Sequence, residues 1–338
     1  MSASELTRSV WGVDADDYPA DAPIDERARF CLRYAILAPS SHNAQPWRFR
    51  IDGNAVHVAA EESRWLRAAD PDTRELFVSL GCAVENLVVA AEGFGFDVAV
   101  TYHEGDAERA ATVTLEDGDG DGGDGDRETR SPLFDALTTR RTSHDPFDGV
   151  PLDSTTRDRV VAAVEGFPVT LHLVDGEAKR AVGELQAEAD RRQMADAAYR
   201  KELGHWIGLG ALGHSWLVAR VGQAVVSHLD IGDREAAKNS ALVESAPVVA
   251  VLTTDADGEQ AWIVTGRAFE RVALRASAGG VAVHPMSQIL ERPDCRTRLA
   301  AELDLDGATP QHLFRLGYAD ETVEHTPRWP VEVVLDEG

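Results

Sequence analysis

The sequence predicts an α+β fold in which a mostly antiparallel central sheet with flanking helices is built from two related halves, an internal pseudo-dimer. Three observations predict it. Helical and strand periodicities alternate along all 338 residues, a length two to three times the common domain size. DGDGDGGDGD at 117–126, which can neither bury surface nor hold a helix, divides that alternation in two. GCAVENLVVAAEGFGFDV from Gly81 also aligns without gaps with GRAFERVALRASAGGVAV from Gly266, sharing Gly81/Gly266, Ala83/Ala268, Glu85/Glu270, Ala91/Ala276, Gly95/Gly280 and Val98/Val283. Amphipathic helices that converge on small residues would give part of that match, but a repeat this long points to duplication of a whole unit. The halves are expected at 1–116 and 131–338, with 117–130 as an acidic Gly/Asp-rich loop.

The first half opens with a helix over 26–37, where Ala28, Cys31, Leu32, Ala35 and Ile36 form one stripe and Pro39 stops the helix. RFRIDGNAVHV alternates around Asp52, Gly53 and Asn54, a hairpin signal. Asp70 and Pro71 start a long buried helix that carries Phe77, Leu80, Val84, Leu87, Val88 and Ala91 and runs to Gly93 and Gly95. VAVTY and ATVTL follow as short strands. The second half has a helix from Ser131 and Pro132, a strand near 168–174, helical sequence to about 230, and the apolar strand PVVAVLTT. Segment 203–228 has no counterpart in the first half and reads either as a buried helical hairpin or as an insertion that covers a site. Its His205, His214 and His228, with Trp206 and Trp216, lack metal-like spacing and read as packing or surface residues.

Composition excludes several functions. Lys and Arg total 33 against 58 Asp and Glu, a formal charge of -25, and the lysines are only Lys179, Lys201 and Lys238. Such a surface repels nucleic acid and anionic membranes, so neither is an expected partner. Carboxylates with Arg in place of Lys read as adaptation to high salt, hence a halophile. Cys31, Cys82 and Cys295 are widely spaced and form no C-x-x-C pair, so neither zinc nor a redox dithiol is expected. The Asp-Gly tract lacks the EF-hand glutamate, and no metal is expected there either. The N-terminus has no apolar targeting core and Glu85 and Glu92 interrupt the apolar stretch 76–100, so the expectation is cytoplasmic.

The strongest local signal is APSSHNAQPWRF, Ala38 to Phe49. Between a helix and a hairpin it gathers hydroxyls, two carboxamides and an aromatic ring, with Pro39 and Pro46 fixing the backbone. Asn43 and Gln45 each offer donor and acceptor, which suits the mixed edge of a flat heterocycle. By composition alone, a turn capped by Ser40 and Asn43 is the better explanation of the loop.

PSSxNxQPW followed by an alternating strand resembles the flavin-contacting loop of the FMN-dependent nitroreductase family. RTSHDPF, Arg141 to Phe147, is similar to that family's R-x-S-x-[KR]-x-F element at Arg141, Ser143 and Phe147. HPMSQ from His284 falls where family members bring main-chain groups to flavin N5, and RLGYAD and TPRWP resemble the closing segment near the FMN phosphate. The order of these elements resembles the subgroup with two fused halves, the Acg-like one. The resemblance implies one FMN, with Arg141 and Arg328 on its phosphate and Ser143 on ribityl or phosphate oxygens. It also implies Pro39, Ser40, Ser41, Asn43 and Gln45 around the isoalloxazine, with Met286 and Ser287 near N5.

The implied activity is two-electron transfer from NAD(P)H through the flavin to a quinone, nitroaromatic or similar small-molecule acceptor, with no catalytic side chain required. The alternative is an FMN storage or sequestration protein with a closed pocket. A monomer or a homodimer is expected. The sequence departs from the family pattern at Asp145, where a carboxylate replaces a cation and would oppose flavin reduction. His144 and Lys238 are the candidates to compensate it, and a solvent-facing helix cap is the alternative role for Asp145.

Overall fold

The computed structural model describes residues 6–106, 108–118, 130–213, 216–229, 231–319 and 324–336, with backbone only at 216 and 217. Most of the expected Asp-Gly loop, His214 and the side chain of Trp216 lie outside these residues.

The first half runs α1 (Ile24–Ala35), β1 (Trp47–Asp52), β2 (Ala55–Ala60), α2 (Arg74–Gly93), β3 (Phe96–Tyr102) and β4 (Ala111–Asp117). Helix α1 carries Asp25 and Glu26 in its first turn and Arg33 in its last, matching the helix dipole. Strands β1 and β2 pair from Trp47↔Ala60 to Asp52↔Ala55, so only Gly53 and Asn54 form the turn, with Gly53 at φ 58°. Helix α2 is long and apolar enough to cross a bilayer, yet it is the core helix, buried at every position from Arg74 to Ala91.

The second half runs α3 (Pro132–Thr139), α4 (Ser154–Ala162), β5 (Thr170–Val174), α5 (Gly176–Ala195), α6 (Ala197–Gly208), α7 (Trp216–His228), α8 (Gly232–Ser245) and β6 (Val248–Thr254). It continues with α9 (Glu259–Ala278), β7 (Ala282–Pro285), α10 (Pro293–Glu302), β8 (Thr309–Gly317), α11 (Val331–Val334) and β9 (Leu335–Asp336).

The expected α+β, mostly antiparallel architecture is present, with its strands in two sheets, ordered β3-β4-β2-β1-β9 and β5-β6-β8-β7. Reversed, the second order is β7-β8-β6-β5, which matches the first strand for strand with β5 to β8 standing for β1, β2, β3 and β4. The pairings within both sets are antiparallel, and β9 joins β1 in parallel. The centre is occupied by helices: α2 and α9, the two copies of the sequence repeat, share one apolar core with the inner faces of both sheets. Strand β6 is buried at all seven positions because Val248, Ala250 and Leu252 face that core while Val249 and Val251 face a second one beneath α5.

At the crossing of α2 and α9 a Cβ on Gly81 would lie 2.0 Å from Ile263 O, and one on Gly266 1.9 Å from Val78 O. Glycine is obligatory at both because the backbones themselves touch. The halves differ most between β5 and β6, where helices α5 to α8 replace the two-residue turn that joins β1 to β2. The chain then returns: its last described segment, 324–336, runs back to the first sheet through β9.

Candidate functional site

The loop from Ala38 to Phe49 is held in an uncommon backbone conformation. His42, Asn43 and Gln45 have φ of 50°, 53° and 51°, the left-handed region that residues with a Cβ rarely occupy. Such conformations persist where the surroundings over-determine them, often at functional sites. Here Gln45 N donates to Ser40 Oγ (2.8 Å) and Arg64 Nη1 donates to Gln45 O (2.9 Å). The Gln45 carboxamide donates to Asn43 O (3.1 Å) and accepts from Trp329 N (2.8 Å), while Asn43 Nδ2 donates to Ala211 O and Pro327 O, both at 2.8 Å. Gln45, expected on a ligand, therefore serves as framework: it is fully buried and both ends of its carboxamide bind the chain. Asn43 is committed through its amide nitrogen, whereas its buried Oδ1 has no partner.

A cluster of cations gathers at the start of this loop. Leu37 O accepts from Arg140 Nη2 (2.9 Å) and from Arg328 Nη2 (3.2 Å), and Arg141 Nε lies 3.4 Å from His325 Nε2. Arg328 is 3% exposed and binds the Thr326 and Pro327 carbonyls and the Thr326 hydroxyl, and its Nε is buried without a partner. Burial, with Arg140 beside it, lowers Arg328 to about 9. Burial, then Arg141, Arg140 and Arg328, lowers His325 to about 4. The carboxylate that answers them is Glu270, 3.0 Å from Arg140 Nε and pushed up by its own burial to about 7. Mutually repelling guanidiniums around one reluctant carboxylate suit a polyanion such as a phosphate.

The internal repeat explains why the cluster forms on one side only. Glu85, the counterpart of Glu270, is met by Arg267 Nε (3.0 Å) and Arg271 of α9. The positions equivalent to these arginines on α2 are Cys82 and Asn86, so Glu270 recruits Arg140 instead.

Further along the loop, Ser41 Oγ donates to Glu75 Oε2 at 2.8 Å and Ser287 Oγ donates to the same oxygen at 3.0 Å. Ser41 belongs to the first half and Ser287 follows β7 of the second. Met286 is buried and its N–H donates to Leu313 O (2.8 Å), so it is not the free main-chain donor expected of it. Ser143 is joined to the same strand, its N donating to Val283 O (3.1 Å), and its buried hydroxyl has no partner. Pro39 is half-buried at the loop's entrance.

Asp145 is exposed and caps no helix, since Asp153 accepts from Thr156 N to cap α4. The buried cation at this element is neither His144 nor Lys238, both exposed, but Arg315. It donates to the carbonyls of Ser143 (3.2 Å) and Asp145 (2.7 Å) and to His284 Nδ1 (3.0 Å), and lies 4.0 Å over the Phe147 ring.

The α5–α8 insertion covers the loop. Met194, Tyr199, Trp206, Ala211 and Val226 pack with Ala44, Leu66 and Ala69, and Glu202 accepts from Ala69 N at 2.9 Å. Of the expected buried hairpin, α6 buries Tyr199 and Trp206 while α7 leaves Val218, Val221 and Val225 exposed. Among the described residues Glu188, Asp294 and Cys295 could meet a metal, but Arg192 pairs with both carboxylates and Arg298 with Glu188.

No family model matches the sequence. The chain is similar to candidate NAD(P)H nitroreductases along nearly its whole length. One from Mycobacterium tuberculosis is 27% identical over 331 residues, taking in 96% of this chain and 94% of the relative. Acg of the same organism is 24% identical over 90% of this chain and 93% of its own, and PigM of a Serratia species is 22% identical over 88% and 89%. Among solved structures, the FMN-dependent nitroreductase NfnB of Mycobacterium smegmatis, in complex with NADPH, covers 61% of this chain and 98% of its own, with 19% identity and a TM-score of 0.43. A second NfnB, from a Sphingopyxis strain, covers the same shares with 20% identity and a TM-score of 0.45.

Proposed function

We propose that the protein is an FMN-dependent NAD(P)H oxidoreductase of nitroreductase type, with one flavin site per chain. The observation that carries this reading is that parts of three matched segments, around 140–143, 287 and 325–329, gather about the 38–49 loop and the start of α2. Arg140 and Arg328 meet at Leu37 O, Arg141 reaches His325 beside them, and Ser41 and Ser287 meet at Glu75. In a chain of charge -25, two buried arginines, Arg140 and Arg328, with half-buried Arg141 beside them, suit an anion site rather than surface balance. The names of the full-length relatives support the same activity.

The residues present fit FMN. Arg141, Arg328 and Arg140 would hold the phosphate through guanidinium N–H groups, and the unpartnered Ser143 hydroxyl would donate to a neighbouring oxygen. Ser40, Ser41, Asn43 Oδ1 and Ser287 would meet the polar edge of the ring. Arg315 keeps a cation at the element where Asp145 replaces the usual one. The bound flavin supplies hydride transfer from NAD(P)H to an electron-poor acceptor such as a quinone or nitroaromatic, while the protein positions the partners and excludes water.

A second reading, flavin storage, is favoured by one observation. The α5–α8 insertion packs on the loop through Met194, Tyr199, Trp206 and Ala211. In the enzyme reading that cover moves aside to admit the nicotinamide.

The purified protein is expected to be yellow, with about one FMN per chain by quantification of released flavin. Colourless protein that ignores added FMN would contradict both readings. The excess of carboxylates, paired on the surface with arginine as in Arg27–Asp117 and Arg296–Asp257, is part of the proposal as adaptation to high salt.

A further inference from the structure

Glu75 lies in the first turn of α2, 2% exposed, and is one of the points where the two halves touch through polar groups. Its Oε1 accepts from Arg74 Nη1 (2.8 Å) and its Oε2 from both Ser41 Oγ and Ser287 Oγ (2.8 and 3.0 Å). A serine hydroxyl has one proton to give. With that proton committed to the carboxylate, each oxygen turns only lone pairs to whatever lies on its open side, and both serines are partly exposed.

We propose that Glu75 is a positioning residue that makes Ser41 and Ser287 a matched pair of acceptors, so that the site prefers the form of its flavin that carries more N–H groups. This rests on the FMN reading above. Oxidised isoalloxazine has one N–H, at N3. Hydride from NAD(P)H adds two electrons and a hydrogen at N5, which creates a second donor and leaves NAD(P)+. Acceptors fixed in advance therefore bind the reduced ring more tightly than the oxidised one.

The surrounding charges keep Glu75 in the state this needs. Arg74, fully buried, balances it and also donates to Gln311 O (2.5 Å). Asp70 accepts from Glu75 N (3.0 Å) and Leu76 N (2.9 Å), Glu291 accepts from Gln193, and His42 and His312 face the same carboxylate. Burial raises Glu75, but Arg74, His312 and the two serines outweigh it and leave it below the usual range. Burial and the neighbouring Glu75 push Asp70 up to about 7 and raise Glu291 well above the usual carboxylate range, so of the three acids Glu75 is the one whose charge is favoured.

The test is the two-electron midpoint potential of the FMN-loaded protein, with oxidised-FMN affinity measured separately. Ser41→Ala combined with Ser287→Ala removes both acceptors and leaves the Arg74–Glu75 charge pair intact, so the ratio of reduced to oxidised affinity should fall roughly tenfold, which is about 30 mV lower in potential. Ser287→Ala alone should lower the potential by less and serves if the double variant does not fold. Glu75→Gln frees a serine proton to point outward but also removes a negative charge, which by itself favours the reduced ring, so its potential should lie above that of the double variant. General structural damage would weaken both redox forms alike and leave the potential in place. Flavin-loaded protein with an unchanged potential in the folded variants would overturn this inference alone. Wild-type protein that takes up no FMN would overturn the functional reading as well.

Discussion

Gly81 and Gly266 face each other at the crossing of α2 and α9, each the other's counterpart in the internal repeat, with room between the backbones for hydrogen but not for carbon. Their meeting lies in the core that α2 and α9 share with the inner faces of both sheets. Gly81→Ala or Gly266→Ala would put a methyl group about 2 Å from a main-chain carbonyl oxygen of the facing helix. Each should cost roughly 1–3 kcal/mol or more, as overpacking does in a core that cannot shift. Urea unfolding checks this, and a midpoint equal to wild type would show that the helices separate freely.

The cation cluster should govern flavin affinity. Arg141→Ala removes a charged partner of the phosphate and should weaken FMN by roughly 1.5–3 kcal/mol. Lysine at the same position should restore only part of it, because a point charge lacks the planar fork. Fluorescence titration of apoprotein with FMN measures both. Wild-type affinity in Arg141→Ala would place the phosphate elsewhere.

Glu270 gives the protein a predictable pH dependence. Its folded pKa, about 7, lies above the ordinary carboxylate value, so the folded state binds its proton more tightly than the unfolded chain does. That contribution to stability is complete below the unfolded pKa and is lost as pH rises through about 7. Glu270→Gln should therefore lose less stability than wild type between pH 5 and pH 8, the opposite of what a strongly stabilising ionised pair would give. Denaturant midpoints across that range decide between them.

Salt should stabilise the molecule. Repulsion spread over a charge of -25 is relieved as the Debye length falls from ~10 Å at 0.1 M to ~3 Å at 1 M. Thermal midpoints should rise with KCl up to molar concentration. A flat or falling series would reduce the acidity to a solubility trait.

The pattern of local elements was legible in the sequence because it is written in short-range signals. The stripe from Phe77 to Ala91, the Gly53–Asn54 turn and the Gly81/Gly266 repeat appear in the structure as α2, the β1–β2 hairpin and the α2–α9 crossing. That the strands form two sheets rather than one was not legible, since the helix pair between them is a tertiary choice. Nor was β9, whose two residues carry no periodicity. In the candidate site, the loop was singled out by its resemblance to a known flavin-contacting loop, since its composition alone reads better as a capped turn. Glu75 was missed because an acid in a first helical turn reads as a dipole partner, and only the fold brings Ser41 and Ser287 to it. Arg140 stands beside Arg141 in sequence, and nothing local says that it too joins the cluster.

The central claim is that electrons pass from a nicotinamide through a flavin held in this site to an external acceptor. Anaerobic stopped-flow mixing of FMN-loaded protein with NADH, and separately with NADPH, tests it most directly. The account predicts rapid loss of flavin absorbance with at least one of them, and its return on adding a quinone or nitroaromatic. Flavin bleached by dithionite but by neither nucleotide would contradict the oxidoreductase reading and leave a sealed storage site beneath the α5–α8 cover.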